Sequence, residues 1–158
     1  MLRARVLVAD TEQALPLVAR LLGGGDFELC TASSWDEALR CIETLRPHIV
    51  IVGYHFEGMR AYRFVQQVRA LENAAHLGLL LVRAAPVLAH SGNEKEMEES
   101  YRQLGVDEYM VLDKGARGEK FEETAERLRS AVTGLYQRLA YAQQRRDRRT
   151  VARGDRRG

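Results

Sequence analysis

Five short apolar runs, separated by stretches of helical periodicity, limit what this chain can fold into more than any other feature. They are Val6-Leu7-Val8-Ala9, Phe27 to Thr31, Ile49-Val50-Ile51-Val52, Leu79-Leu80-Leu81-Val82 and Tyr109-Met110-Val111-Leu112. The runs lack the in/out alternation of a half-solvated strand, which marks strands covered on both faces. A parallel sheet sandwiched between helices is therefore expected. Between the runs, Leu15, Val18, Ala19 and Leu22 keep helical spacing until Gly23-Gly24-Gly25. Ser34 with Glu37 three residues on reads as a capping box, and Pro47 marks the exit of the helix it opens. Tyr62, Val65, Val68 and Leu71 form a further helical face, and Asn93 with Glu96 opens a helix that Gly105 ends.

Length and composition exclude other classes. A chain of 158 residues suits one domain with its own core. An apolar fraction of 46% at a net charge of +2 argues against disorder throughout. Thirteen Gly, three Pro and two Cys exclude collagen-like and disulfide-framework chains. No apolar run reaches the roughly 20 residues that span a bilayer, and no signal-peptide pattern opens the chain. A cytoplasmic protein with reduced thiols and no membrane partner is expected. The near-neutral charge is a cancellation: residues 145–158 hold seven Arg and two Asp, or +5, leaving −3 on the first 144 residues. The expected organisation is a domain over 1–144, including a long last helix from about 118, and a disordered Arg-rich tail over 145–158.

That last helix has the clearest periodicity. Phe121, Ala125, Leu128, Val132, Leu135, Leu139 and Ala142 are spaced alternately by four and three residues, the a/d pattern of a heptad. A helix over 118–145 is about 40 Å long at 1.5 Å per residue, longer than a sheet is wide. Packing on the sheet accounts for Phe121 to Val132. The remainder predicts a homodimer seam, with Leu128, Val132, Leu135, Leu139 and Ala142 as candidate dimer or partner residues. For the tail, a solubilising terminus, a phosphate-binding segment for nucleic acid and contact with an acidic protein surface all stay open. It lacks interleaved aromatics, which disfavours single-strand stacking.

Three stretches, RVLVADT at 5–11, PHIVIVGYHFEGM at 47–59 and GVDEYMVL at 105–112, resemble a response-regulator receiver domain of the chemotaxis-regulator type. With the order and spacing of the elements, the resemblance covers about residues 4–136. It implies a flavodoxin-like three-layer (βα)5 sandwich with strand order 2-1-3-4-5, extended by the last helix. The functional pocket would lie at the carboxyl ends of strands 1, 3 and 4. Carried over position by position, Asp10 matches the first acidic residue and Thr11 stands at the second. Gly53 stands at the phosphoacceptor, Arg83 at the Thr or Ser, and Leu112 at the Lys, with Lys114 two residues late. Glu57 replaces a Pro, and Tyr109 keeps the aromatic switch position.

One carboxylate beside a neutral hydroxyl is a poor magnesium site, and glycine forms no acyl phosphate. The sequence therefore reads as a pseudo-receiver: no catalytic residue, no cofactor, no metal, and not an enzyme. The expected role is phosphorylation-independent protein–protein interaction in bacterial two-component signalling. The rivals are phosphotransfer through a non-standard acceptor and binding of nucleic acid or anionic nucleotides by the tail. Two arrangements of Arg83 stay open: filling the space above Gly53 to pair with Asp10, or reaching solvent with its stem on apolar neighbours. His55 lies near Asp10, but two ligands fall short of a zinc site, and His48, His76 and His90 form no ligand spacing. Cys30 and Cys41 read as small buried hydrophobes. The apolar segment 84–90 beside a helix carrying Glu94, Glu96, Glu98 and Glu99 is a candidate partner surface.

Overall fold

All five apolar runs become parallel strands: β1 (Ala4–Ala9), β2 (Phe27–Ala32), β3 (Ile49–Gly53), β4 (Gly78–Ala85) and β5 (Glu108–Asp113), in the order β2-β1-β3-β4-β5. The structure is a computed structural model that describes residues 3–23, 26–72, 74–85 and 93–156. Register follows the apolar runs, with Val6 opposite Ile49, Val52 opposite Leu81 and Gly53 opposite Val82. Helices α1 (Leu15–Leu22) and α6 (Glu119–Asp155) cover one face. Helices α2 (Trp35–Leu45), α4 (Ala61–Ala70) and α5 (Glu94–Gln103) cover the other, with the single turn α3 (Phe56–Met59) after β3. Alternate residues of each strand enter opposite cores: Val6, Ile51 and Val82 meet α1 and α6, whereas Leu7, Val50 and Leu81 meet α2 and α4.

Local chemistry explains most boundaries. Ser34 Oγ accepts from the Glu37 N–H at 3.3 Å, and Glu37 reaches back to the Ser33 N–H at 3.4 Å, one residue before the expected capping-box donor. Asn93 stands at the N-cap of α5 but makes no side-chain cap bond. On α4 the buried stripe is Ala61, Phe64, Val65 and Val68. Tyr62, expected inside, is 41% exposed, because i, i+3, i+4, i+7 spacing from Ala61 places it beside the stripe. Arginines close several ends: Arg5 donates to Leu45 O and Arg46 O behind α2, and Arg129 to Leu21 O behind α1. Arg69 donates to Gly105 O, Ala74 O, Leu77 O and Asp107 Oδ2, tying the end of α4 to the turn before β5.

Helix α6 corrects two expectations. Leu128 and Val132 are fully buried, and Leu135 is 2% exposed, all within the chain's own core. These three side chains pack on the chain's own sheet, while Leu139 is only partly buried there. The sheet supports the helix further than expected because Gly78, at the start of β4, has no side chain. A Cβ there would stand 2.8 Å from Leu139 Cδ1 and 2.9 Å from Leu135 Cδ2. Over three heptads, spacing alone does not separate a coiled-coil seam from a helix packed on its own sheet. The second correction concerns the tail. The helix does not end near 144 but continues to Asp155, with residues 143–156 exposed throughout. Its Arg, Gln and Ala content favours helix, and the Gln143 side chain bonds Asp147 one turn on, at 3.0 Å. Among the described residues, no helix is long and apolar enough to cross a membrane. Gly24, Gly25, His90 and most of the 84–90 segment lie outside the described residues.

Candidate functional site

The carboxyl ends of β1, β3 and β4 meet where the strand order reverses, the position at which open parallel sheets bind their ligands. Asp10 follows β1 directly and is 5% exposed. Its backbone N–H donates to Ala32 O at 3.2 Å, and its Oδ1 accepts from the Thr11 N–H at 2.7 Å. Thr11 Oγ1 in turn accepts from the Ala14 N–H at 3.2 Å, at the entry to α1. Burial pushes the Asp10 carboxyl above its ordinary value, opposed by the Thr11 N–H and by His55.

Gly53 ends β3 beneath this carboxylate. A Cβ placed on Gly53 would land on the carboxylate carbon and both oxygens of Asp10. The space left by the absent side chain is thus filled by Asp10. Arg83 does neither of the things expected of it. In β4, Val82 turns towards α1 and α6, so Arg83 turns to the opposite face. There its Nη1 donates to Glu94 Oε1 and its guanidinium lies 5.4 Å over the Tyr54 ring. Arg83 and Glu94 side chains are only 18% and 20% exposed.

A cavity of about 110 Å³ lies beside Asp10, lined by Thr11, Gln13, Tyr54, His55, Ala84 and Lys114 among others. Leu112 is fully buried in the α1/α6 core, whereas Lys114, from the turn after β5, reaches the cavity wall. Among the described residues no ion pair joins Lys114 to Asp10. His55 Nδ1 stands 3.0 Å from Met59 Sδ, and its ring meets Tyr54 edge-on at 5.2 Å. The turn below is left-handed at Glu57 (φ 52°), Gly58 (φ 60°) and Met59 (φ 75°). It aims the Glu57 carboxylate at the Trp35 N–H, at the N-terminus of α2.

The residues present do not fit a magnesium ion, which takes hard oxygen ligands in near-octahedral geometry. The site offers one carboxylate, already held by a backbone N–H, and the Thr11 hydroxyl already accepts from the Ala14 N–H. Among the described residues, no group of three or more His, Cys, Asp or Glu could hold a metal. The other histidines serve elsewhere. His48 Nδ1 accepts from the Arg5 N–H at 2.9 Å, and His76 Nδ1 stands 3.0 Å from Arg146 Nη1.

Tyr109 belongs to a cluster that sequence reasoning saw only in part. Its hydroxyl donates to Glu94 Oε2 at 2.8 Å, so one carboxylate holds Arg83 on one oxygen and Tyr109 on the other. Tyr101 packs between Tyr109 (6.2 Å), Tyr62 (5.6 Å) and Tyr54 (6.4 Å). Burial, then the neighbouring Tyr54 and Tyr62, push the Tyr101 hydroxyl up to about 12. The missed members are Tyr54, Tyr62 and Tyr101. Their only signal was three tyrosines on elements that the topology brings to one face.

No family profile and no curated protein matches the chain. Solved structures do. NtrX of Brucella abortus, in complex with ADP, superposes with a TM-score of 0.72 at 21% identity, covering 94% of this chain and 29% of that one. The signal receiver domain assigned to a Luxo repressor protein of Vibrio parahaemolyticus gives 0.68 at 16% identity, over 90% of this chain and 96% of that one. This chain has the receiver-domain fold. The chemotaxis response regulator CheY4 of Vibrio cholerae, at TM-score 0.60 and 22% identity over 80% of this chain and 98% of that one, shares it. Within the receiver fold, Asp10, Gly53 and the cavity occupy the strand ends expected from the resemblance. Arg83 and Tyr109 occupy the adjoining face under α5.

Proposed function

We propose that this chain is a receiver-fold signalling module of a two-component system that works by protein–protein contact and is not phosphorylated at the Gly53 position. The observation that carries this reading is the Asp10 carboxylate lying over Gly53, where an acceptor side chain and its phosphoryl group would need to be. Phosphoryl transfer depends on positioning and on neutralising charge. Here the β4 cation is turned away to Glu94, and Leu112, at the lysine position, is buried in the α1/α6 core, with Lys114 two residues on at the cavity wall. The Arg83–Glu94–Tyr109 network supports a face set by internal contacts in place of a phosphoryl signal. The module acts in the cytoplasm and catalyses no reaction.

Incubation with acetyl phosphate and magnesium, followed by intact mass, tests this. The expected result is an unmodified chain. A stable adduct of one phosphoryl group, lost on acid treatment, would instead establish phosphotransfer through an unorthodox acceptor.

A further inference from the structure

Beyond Ala142 the last turns of α6 form an exposed helix whose charges are not evenly spread. On a helix of 3.6 residues per turn, Arg145, Arg146, Arg149, Arg153 and the C-cap Arg156 fall within an arc of roughly 100°. Arg148 falls outside that arc, on the opposite side with Asp147 and Asp155. The arginine arc continues the stripe that carries Leu135 and Leu139 against the sheet. At the edge of the domain an apolar stripe becomes a basic one. Among the described residues no ion pair neutralises these arginines. Arg145 lies 6.0 Å over the Tyr141 ring and Arg146 contacts His76, while Arg149 and Arg153 are exposed. Arg145 with Arg149, and Arg149 with Arg153, are like charges one turn apart, an arrangement that disfavours an isolated helix.

We propose that this arginine stripe is a binding surface for the phosphate backbone of duplex nucleic acid. A second copy aligned along the stripe is disfavoured, because it would set Arg146, Arg149 and Arg153 against their own counterparts. A protein partner would be expected to find apolar anchors. Beyond alanine methyls the stripe adjoins only Tyr141, which is engaged by Arg145, and exposed Val151 points to the opposite side. Single strands need stacking platforms, and Tyr141, the sole aromatic residue after Tyr136, already carries Arg145. A duplex presents one charge per roughly 1.7 Å of its axis, a continuous line matched to a stripe of about 17 Å from Arg145 to Arg156. Guanidinium forks bind phosphate oxygens in pairs, and contacts of this kind position the protein without reading sequence. The proposal stands apart from the proposed role of the domain, since it uses none of the residues around Gly53 or Tyr109.

The test is titration of the full chain against a 20-base-pair duplex at several salt concentrations. With about five phosphate contacts, affinity should fall roughly 500-fold between 50 and 200 mM salt. A charge-conserving variant, Q144R/R149Q/V151R/R153Q, moves two arginines to the far side of the helix. It should lose at least about tenfold in affinity at low salt while keeping the wild-type melting temperature. No duplex binding at 50 mM salt overturns the proposal. So does a relocated variant that binds like the wild type, since net charge alone would then suffice. Binding to polyglutamate as tight as to the duplex would overturn it in favour of an acidic protein partner.

Discussion

Gly53 and Asp10 behave as one unit, and each determines what the other can be. Gly53→Ala inserts a methyl into the Asp10 carboxylate, so it should destabilise by about 1–3 kcal/mol, the usual range for overpacking. In urea unfolding, Asp10→Ala/Gly53→Ala should recover part of that loss, a coupling that two independent sites would not show. Asp10 also contributes a pH dependence of defined sign. Its carboxyl is raised above the ordinary value of 3.8, chiefly by burial, so the folded state binds its proton more tightly than the unfolded state does. Its contribution is complete below 3.8 and is lost as pH rises through the raised folded value. Asp10→Asn should therefore gain stability over wild type at pH 7, and the gain should shrink on acidification into that window. The two thiols are a quieter pair. Cys30 and Cys41 face each other at 3.5 Å, and burial followed by Cys30 pushes the Cys41 thiol up to about 11. Slow alkylation of Cys41 at pH 8 is the expected result, because the thiolate is the reactive form.

Between elements, side chains do the joining that backbone ladders do not. Glu94 ties α5 to both β4 and β5 through Arg83 and Tyr109. Arg83→Ala would leave a partly buried carboxylate without its cation, at about 1–3 kcal/mol. It should raise hydrogen exchange along α5 above that of α4, whereas equal exchange in both helices would show that the network does not hold α5. Arg69 has a comparable role at the end of α4, where its Nε, Nη1 and Nη2 together reach four acceptors. Lysine there would not replace it. On α6, Leu135→Ala should cost about 2–5 kcal/mol as a core deletion. Gly78→Ala should be destabilising as well, because its methyl meets Leu135 and Leu139. Sedimentation of both variants should match the wild type, since these residues pack within one chain. The heptad spacing was legible in the sequence, but its partner was not. The closeness permitted by Gly78 extends the sheet's contact along the stripe to Leu135 and Leu139.

At the scale of the whole molecule, the chain is a receiver-fold domain with an arginine-bearing helix projecting from it. Residues 143–156 are exposed and contribute little packing. Ending the chain after Gln144 should therefore leave the unfolding free energy within about 0.5 kcal/mol of wild type, as read from urea midpoints. The sequence by itself determined the fold class, the five strands and the division of charge between domain and tail. These properties are local: they depend on apolar runs, turn residues, single side chains and composition, all written in linear order. Only the tertiary structure decided that Asp10 fills the space over Gly53, that Arg83 turns to Glu94, and that Leu128 to Leu139 are spent on the chain's own core. Each of those outcomes depends on which face of a strand a residue takes and how closely another element approaches it. Such distances are set by packing among residues far apart in the chain, so spacing along the sequence does not contain them.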